Sequence, residues 1–536
     1  MKFDAFYNYE RLTQFLQEQA ERAPDLVRVE SLATTAEGRE LWCVEVAARS
    51  GQAPLACRPA LLATGNLHAI EYAGSMACLH LLETLVAGYG ESDEIRRLLE
   101  ERVFYIVPRI AVDGAEYGLT TLDRVRSRRI PLRERGAVDP QDINGDGRIL
   151  TMRWQSDSGA YVASQEDPRL LVPRRPEDAG PFYHIATEGL IHEWDGGPIR
   201  APGGRIDFNR NFPAHWVPLP GSIGHGRYPL SEVETRALAD FVLARPHIVT
   251  ALDFHTGNPA IFYPSGVVAE TARHPEDVRT FARLGRIGEA LTGFPYLSGY
   301  LEAKTGKKTE RLPGSFLEWM YEHVGSVAFV VEMGLFYNYL GVKFGAWFDA
   351  PRERELIPGI PLLAWHDAHP EHQLFFEWEP FDHPQLGRVE IGGWNWVLWS
   401  NPPLFEMESV CERCTRFALR AAAYAPRVRV DVEAMNVADG VFKVTAQIEN
   451  VGEVSTSVTA QGARMHPDSK PRVKMSAPAP VEYIVGRQET TIEHVPPQGA
   501  RRLEWVIRTP SRCVDVEVRS TRGVFARRQV ALSAPV

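Results

Sequence analysis

Apolar residues recur at helical spacing through residues 8–23, NYERLTQFLQEQAERA, where Leu12, Phe15 and Leu16 carry the pattern and Pro24 ends it. This predicts a first helix. The following stretch, VRVESLATTAEGRELWCVEVA, reads as two strands joined by a turn around Glu37 and Gly38. RPALLATGN is a continuous apolar run closing at Gly65, hence a short buried strand, and AGSMACLHLLETLVAGYG behind it has the spacing of a helix. ERVFYIVPRI predicts another apolar strand, and Ile248–Phe254 and Val327–Val331 two more of the buried type. LFEMESVCERCTRFALRAAAYA predicts a late helix. Strands alternating with helices predict an α/β fold, with a mixed, mostly parallel sheet flanked by helices. Pro426 marks a change of character. From Val428 the chain alternates in short runs, RVRVDVEAM, GVFKVTAQIENVG, RRLEWVIRT and CVDVEVRS, separated by Gly, Pro, Asn and Asp. Such runs predict an all-β sandwich of about 110 residues. The expected division is 1–426 and 427–536.

A length of 536 residues agrees, being too long for one ordinary core and sufficient for one large α/β unit plus a smaller one. The net charge of -10, from 59 Lys+Arg against 69 Asp+Glu, disfavours nucleic acid as a partner, and no basic run overrides it. The N-terminus lacks the apolar core of a secretory signal, and no window approaches the roughly 18 uninterrupted apolar residues of a membrane span. The expectation is a soluble, cytoplasmic protein without a membrane partner. Six scattered cysteines make no disulfide framework, and the lone pair Cys411 and Cys414 in the late helix reads as structural thiols.

Chemistry concentrates where strands end. In GNLHAIEY, residues 65–72, His68 and Glu71 stand three apart where a strand gives way to a helix, a spacing suited to binding one metal ion. A catalytic zinc takes three protein ligands and keeps one position for water, so a third ligand is needed. Open α/β sheets gather their ligands at the carboxyl ends of the strands. His255 stands at such an end in TALDFHTG, and Glu332 at another, directly after five apolar residues. A carboxylate buried there has to be paired, liganded or catalytic. In GGRIDFNRNFPAHW, Asp207, Asn209, Arg210 and Asn211 cluster, and a guanidinium beside an amide suits a planar carboxylate. In DINGDGRI, Asp142, Asn144 and Asp146 match the first half of a calcium loop, but Arg153 occupies the position of the closing Glu. A structural Ca2+ and a tight Asx-rich turn are the two readings.

Taken together, AEGREL, HAIE, AVDG, DFNRNF, SEVET, DFHTG and EWMYEHVGSVAFVVEMG, in this order over residues 5–425, resemble the zinc metallocarboxypeptidase family of the carboxypeptidase A type. The resemblance implies one catalytic zinc held by His68, Glu71 and His255, with Glu332 as general base. It implies Asn209 and Arg210 on the terminal carboxylate of a peptide substrate, and Arg126 on the oxyanion, with Arg124, Arg128 and Arg129 crowding the same segment. Asp207 is implied as the partner that orients a zinc histidine. Leu317 falls at the usual specificity position, which implies a preference for an apolar or aromatic terminal residue.

The departures concern substrate. An ungapped count back from Glu332 places Glu310 where the family often has a mobile tyrosine, and Tyr296 or Tyr300 could fill that role. Ile70 replaces a common arginine in HAIE, and Ala111 stands where the AVDG motif usually has asparagine. The stretch 127–200 is long for the family and reads as an insertion that narrows the entrance. Two alternatives to a carboxypeptidase remain: an amidase or endopeptidase acting on another carboxylate-bearing substrate such as a cell-wall peptide, and a non-catalytic binding module. For the sandwich the expected roles are stabilisation, self-association or help in binding substrate.

Overall fold

The computed structural model describes residues 1–129, 134–202, 205–218, 224–265, 267, 272–298, 313–342 and 351–532. Helix α1 (Tyr9–Arg22) begins where the Asn8 side chain accepts from the amide of Arg11, and it buries Leu12, Phe15 and Leu16. One eight-stranded sheet organises the larger part of the chain. Its strands are β1 (Val27–Thr34), β2 (Glu40–Val46), β3 (Ala60–Gly65), β4 (Val103–Val107), β5 (Ile248–His255), β6 (Ala260–Tyr263), β7 (Tyr296–Ser298) and β8 (Val327–Glu332), in the order β1-β2-β4-β3-β5-β8-β6-β7. The four central strands β4, β3, β5 and β8 run parallel, and antiparallel neighbours flank them. Every residue of β3, β4 and β5 is buried, as expected for parallel strands covered on both faces. The turn between β1 and β2 needs the left-handed backbone at Gly38, where φ is +82°.

Helix α2 (Tyr72–Gly88) is buried along most of its length, because it lies between the sheet and the late helix, here α3 (Leu404–Ala423). Cys411 and Cys414 lie fully buried on α3 as free thiols, and burial raises both. The long stretch after residue 127 is not self-contained. Its strands Thr151–Gln155, Tyr161–Ala163, Leu171–Pro173 and Phe182–Thr187 form one six-stranded sheet with Phe375–His383 and Gly387–Trp394. Val389 and Ile391 share a core with Val138, Leu150, Met152 and Ile191. From Val428 the chain forms two four-stranded sheets around a separate core that includes Val444, Ile448, Val473, Trp505 and Val516, the expected sandwich. Among the described residues no helix is long and apolar enough to cross a membrane.

Candidate active site at the carboxyl ends of the central strands

The loop between β3 and α2 is fixed before any ligand is considered. Asn66 adopts a left-handed backbone, φ +50°, which asparagine tolerates better than most residues, and its Nδ2 donates to the carbonyls of His68 and Ala69. Ser127 Oγ donates to the Leu67 carbonyl, and the Ala69 amide donates to the carbonyl of Arg126. Asn401 clamps the other side, donating to the Ile70 carbonyl and accepting from the Ala73 amide. His68 and Glu71 are therefore held by three polar side chains, Asn66 from the loop itself and Ser127 and Asn401 from distant parts of the chain.

Strand pairing brings the third residue in. Gly65 at the end of β3 lies opposite Phe254 on β5, and His255 lies opposite Glu332 on β8. His68 Nδ1 stands 2.9 Å from Glu71 Oε1, His255 Nδ1 2.8 Å from Glu71 Oε2, and the two Nδ1 atoms are 3.0 Å apart. Among the described residues this is the only group of three or more His, Cys, Asp or Glu side chains whose ligand atoms lie so close together. Each imidazole turns its other nitrogen to a buried carboxylate, His68 to Asp207 at 3.2 Å and His255 to Asp253 at 2.7 Å. A carboxylate accepts, so each Nε2 carries the proton and each Nδ1 keeps its lone pair. Two lone pairs aimed at one another across 3.0 Å repel unless a cation stands between them. Burial disfavours the charge on Glu71, but positive charge at the His68 and His255 nitrogens, whether brought by a proton or by a metal ion, outweighs it and holds the carboxyl below its usual range. Two imidazole nitrogens and one ionised carboxylate are the donors of a zinc site with a position left open, and they fit the ion.

Glu332 borders this centre. Among the described residues its Oε2 is buried without a hydrogen-bond partner, and burial pushes its pKa up to about 7, with the charge of His255 opposing. Gly257 makes the room, since a Cβ there would lie 2.6 Å from that oxygen. Arg126 donates from Nε to Asp207 at 3.0 Å and approaches Glu71 at 3.5 Å. A cavity of about 500 Å³ adjoins the centre, with Ile70, Glu71, Arg126, Asp207, Arg210 and Gly257 in its wall. Asn209 is close but differently used: its Oδ1 accepts from the amide of Phe316 at 2.9 Å. Leu317 packs in the main core and is not among the residues lining the cavity. Tyr296 stacks on Tyr263, 5.0 Å between centroids, while Tyr300 and Glu310 lie outside the described residues. In the Asp142 loop the Asp142 carboxylate accepts from the amides of Gly145, Asp146 and Gly147, so it is engaged by the turn's own backbone and lends no support to a cation there. A larger cavity, about 890 Å³, lies between the α/β part and the sandwich, away from the His68 centre.

Asp253 and Asn401 escaped the sequence reading. Asp253 had a signal, because residues two apart on a strand share a face and it precedes His255 by two. Asn401 had none, since its contact spans 331 residues.

Comparison with known proteins meets this geometry. The profile of the zinc carboxypeptidase family matches residues 12–342, and that of a domain of unknown function matches residues 428–531. Mast cell carboxypeptidase A of Rattus norvegicus is 20% identical over 326 residues, 59% of this chain and 61% of that protein. A zinc carboxypeptidase of Saccharothrix mutabilis subsp. capreolus is 28% identical over 119 residues, 22% of this chain and 27% of that one. The chain thus spans less than two thirds of the length of either relative. Among solved structures, carboxypeptidase A from Helicoverpa armigera aligns at a TM-score of 0.43 and 17% identity, covering 67% of this chain and 72% of that one. Because the family profile runs unbroken over well over half of the chain, through His68, Glu71, Asp207, His255 and Glu332, the chain belongs to the zinc carboxypeptidase family.

Proposed function

We propose that this chain is a zinc-dependent carboxypeptidase that hydrolyses the C-terminal amide bond of peptides. The observation that carries the reading is the buried Glu332 carboxylate, with one oxygen lacking a hydrogen-bond partner among the described residues, beside the His68, Glu71 and His255 donors. Held by those three residues, zinc would acidify a water toward about pH 7 and polarise the scissile carbonyl. Glu332, whose proton affinity suits neutral pH, takes the water's proton and passes it to the leaving amine. Arg126 faces the oxygen on which charge develops, a contribution commonly near 3 kcal/mol for one donor. Arg210 binds the terminal carboxylate, and Asn209 supports it with the amide donors that its bond to Phe316 leaves unused. Asp207 and Asp253 keep both imidazoles in the tautomer that presents Nδ1.

The test is zinc content together with release of amino acids from a mixed peptide library, before and after chelation. Release of single C-terminal residues, abolished by the chelator, is the expected result. Glu332→Gln should keep its zinc and lose about 10²- to 10⁴-fold in turnover. Bound zinc without release would turn the reading toward an amidase or endopeptidase, and properly folded protein with neither would overturn it. The binding-module alternative predicts indifference to Glu332→Gln.

A further inference from the structure

Four guanidinium groups line the cavity beside the His68 centre: Arg124, Arg126, Arg205 and Arg210. The reaction described above employs Arg126 and Arg210. Arg205 is paired outside the reaction, and Arg124 is left over. Arg124 is exposed to the cavity, its guanidinium carbon 4.7 Å from the centroid of the Trp396 ring, and among the described residues it makes no ion pair. Arg205 pairs with the buried Asp123 carboxylate at 3.8 Å. The surrounding cleft walls lower the Arg124 pKa, first by displacing water from it and then through the like charges of Arg126 and Arg205, with only partial relief from Glu355 and Glu71.

The carboxylates in the same wall are already committed. Glu71 faces both imidazoles, and Asp207 is shared between His68 and Arg126. Like charges gathered in one cleft weaken the free protein and concentrate anions from solution. Among the described residues no carboxylate forms an ion pair with Arg124, so the anion that balances it arrives with the substrate. A peptide's terminal carboxylate supplies one negative charge, which Arg210 takes, and only a second carboxylate supplies another. Trp396 holds the Arg124 plane in place, so that less freedom is lost when a carboxylate docks on it.

We propose that Arg124 makes the site selective for peptides with an acidic side chain in one of their last two residues, an inference that rests on the carboxypeptidase reading. The experiment uses zinc-loaded full-length protein and acetylated peptides ending in Ala-Glu, Glu-Ala, Ala-Gln, Gln-Ala and Ala-Leu. At one of the two positions Glu should exceed its uncharged isostere Gln in kcat/KM by about tenfold or more. Arg124→Gln should erase that ratio while leaving the Gln peptides within about threefold of wild type. The same peptides titrated calorimetrically into zinc-loaded Glu332→Gln protein give a readout independent of turnover. Equal affinity for the Glu and Gln peptides, or hydrolysis of Gln and Leu peptides as fast as Glu peptides, would overturn the selectivity and leave the carboxypeptidase reading standing. Tighter binding of Glu peptides by protein whose wild-type form hydrolyses none of them would do the reverse.

Discussion

Asp253 contributes twice with one side chain. Its Oδ2 holds His255 at 2.7 Å, and its Oδ1 accepts from Thr64 Oγ on the neighbouring strand at 2.6 Å. Asp253→Asn keeps the size and a hydrogen-bonding oxygen but removes the charge that fixes the His255 tautomer. Zinc affinity, measured by competition with a chelating dye, should fall about 10- to 100-fold with the far-ultraviolet circular dichroism unchanged. Unaltered affinity would remove Asp253 from the metal's support. His247, just before β5, is a residue whose effect is on stability. Burial, then the nearby charge of Arg245, pulls its pKa down to about 4, and it pairs with the hydroxyl of Tyr105 at 3.1 Å. Because the folded value lies below the unfolded value near 6.5, the unfolded chain takes up the proton first as pH falls. The contribution is intact above about pH 6.5 and is lost progressively down to about pH 4. Between about pH 7.5 and pH 5 that amounts to about 2 kcal/mol. Urea unfolding at both pH values should give a smaller drop for His247→Gln than for wild type; equal drops would mean that His247 is protonated in the folded protein at pH 5.

At the scale of elements, the site depends on how closely α2 approaches the strand ends. A Cβ on Gly74 would lie 2.5 Å from the Phe254 carbonyl of β5, and one on Gly65 would lie 2.4 Å from the Gly74 carbonyl. Both obstacles are backbone, which cannot rotate away. Gly74→Ala has to lift the first turn of α2, and with it Glu71, off the strand that carries His255. A loss of about 1–3 kcal/mol is expected, with weaker zinc binding alongside. A variant with the wild-type melting temperature and full zinc affinity would show that the contact gives way freely. The same closeness bears on what the sequence discloses. The strand that ends at Gly65, the helix after it, and the strand-end positions of His255 and Glu332 were legible, because each rests on local periodicity and short spacing. The route taken by residues 127–200 was not, since their strands pair with 375–394 across some two hundred residues and no local pattern records a partner that distant. Asn209 was legible as a polar cluster but not as an anchor for Phe316, because a side chain's direction is set by the packing of both segments.

The whole molecule places the sandwich at the end of the sheet opposite the site. The turn between its strands Cys513–Ser520 and Val524–Ala531 reaches the amino ends of three adjacent central strands. Gly523 packs against Pro59, directly before β3, where a Cβ would lie 2.5 Å from the Pro59 Cα. Arg522, fully buried, donates to the carbonyl of Pro246 before β5 and to those of Val324 and Gly325 before β8, at 2.9–3.1 Å. A second anchor lies nearby, where Asp277 accepts from the amides of Ala460 and Gln461. His68, His255 and Glu332 lie at the other ends of these strands, about 20 Å away at the usual rise per residue. Of the three roles expected for the sandwich, this position favours stabilisation of the sheet over handling of substrate. Arg522→Ala takes the side-chain donor from the Pro246 carbonyl, leaves those of Val324 and Gly325 with only His466 and Thr459, and opens a gap between the two parts. The expected cost is about 2–4 kcal/mol in unfolding free energy, with earlier proteolytic cleavage near Pro426. Because the change lies at the far end of the strands, kcat/KM of the folded protein at 25 °C should stay within about twofold of wild type. Arg522→Lys keeps the charge but not the fork of donors, and should recover only part of the stability. Unchanged stability in Arg522→Ala would make the contact incidental. A large fall in kcat/KM without loss of stability would give the sandwich a part in catalysis that its position does not explain.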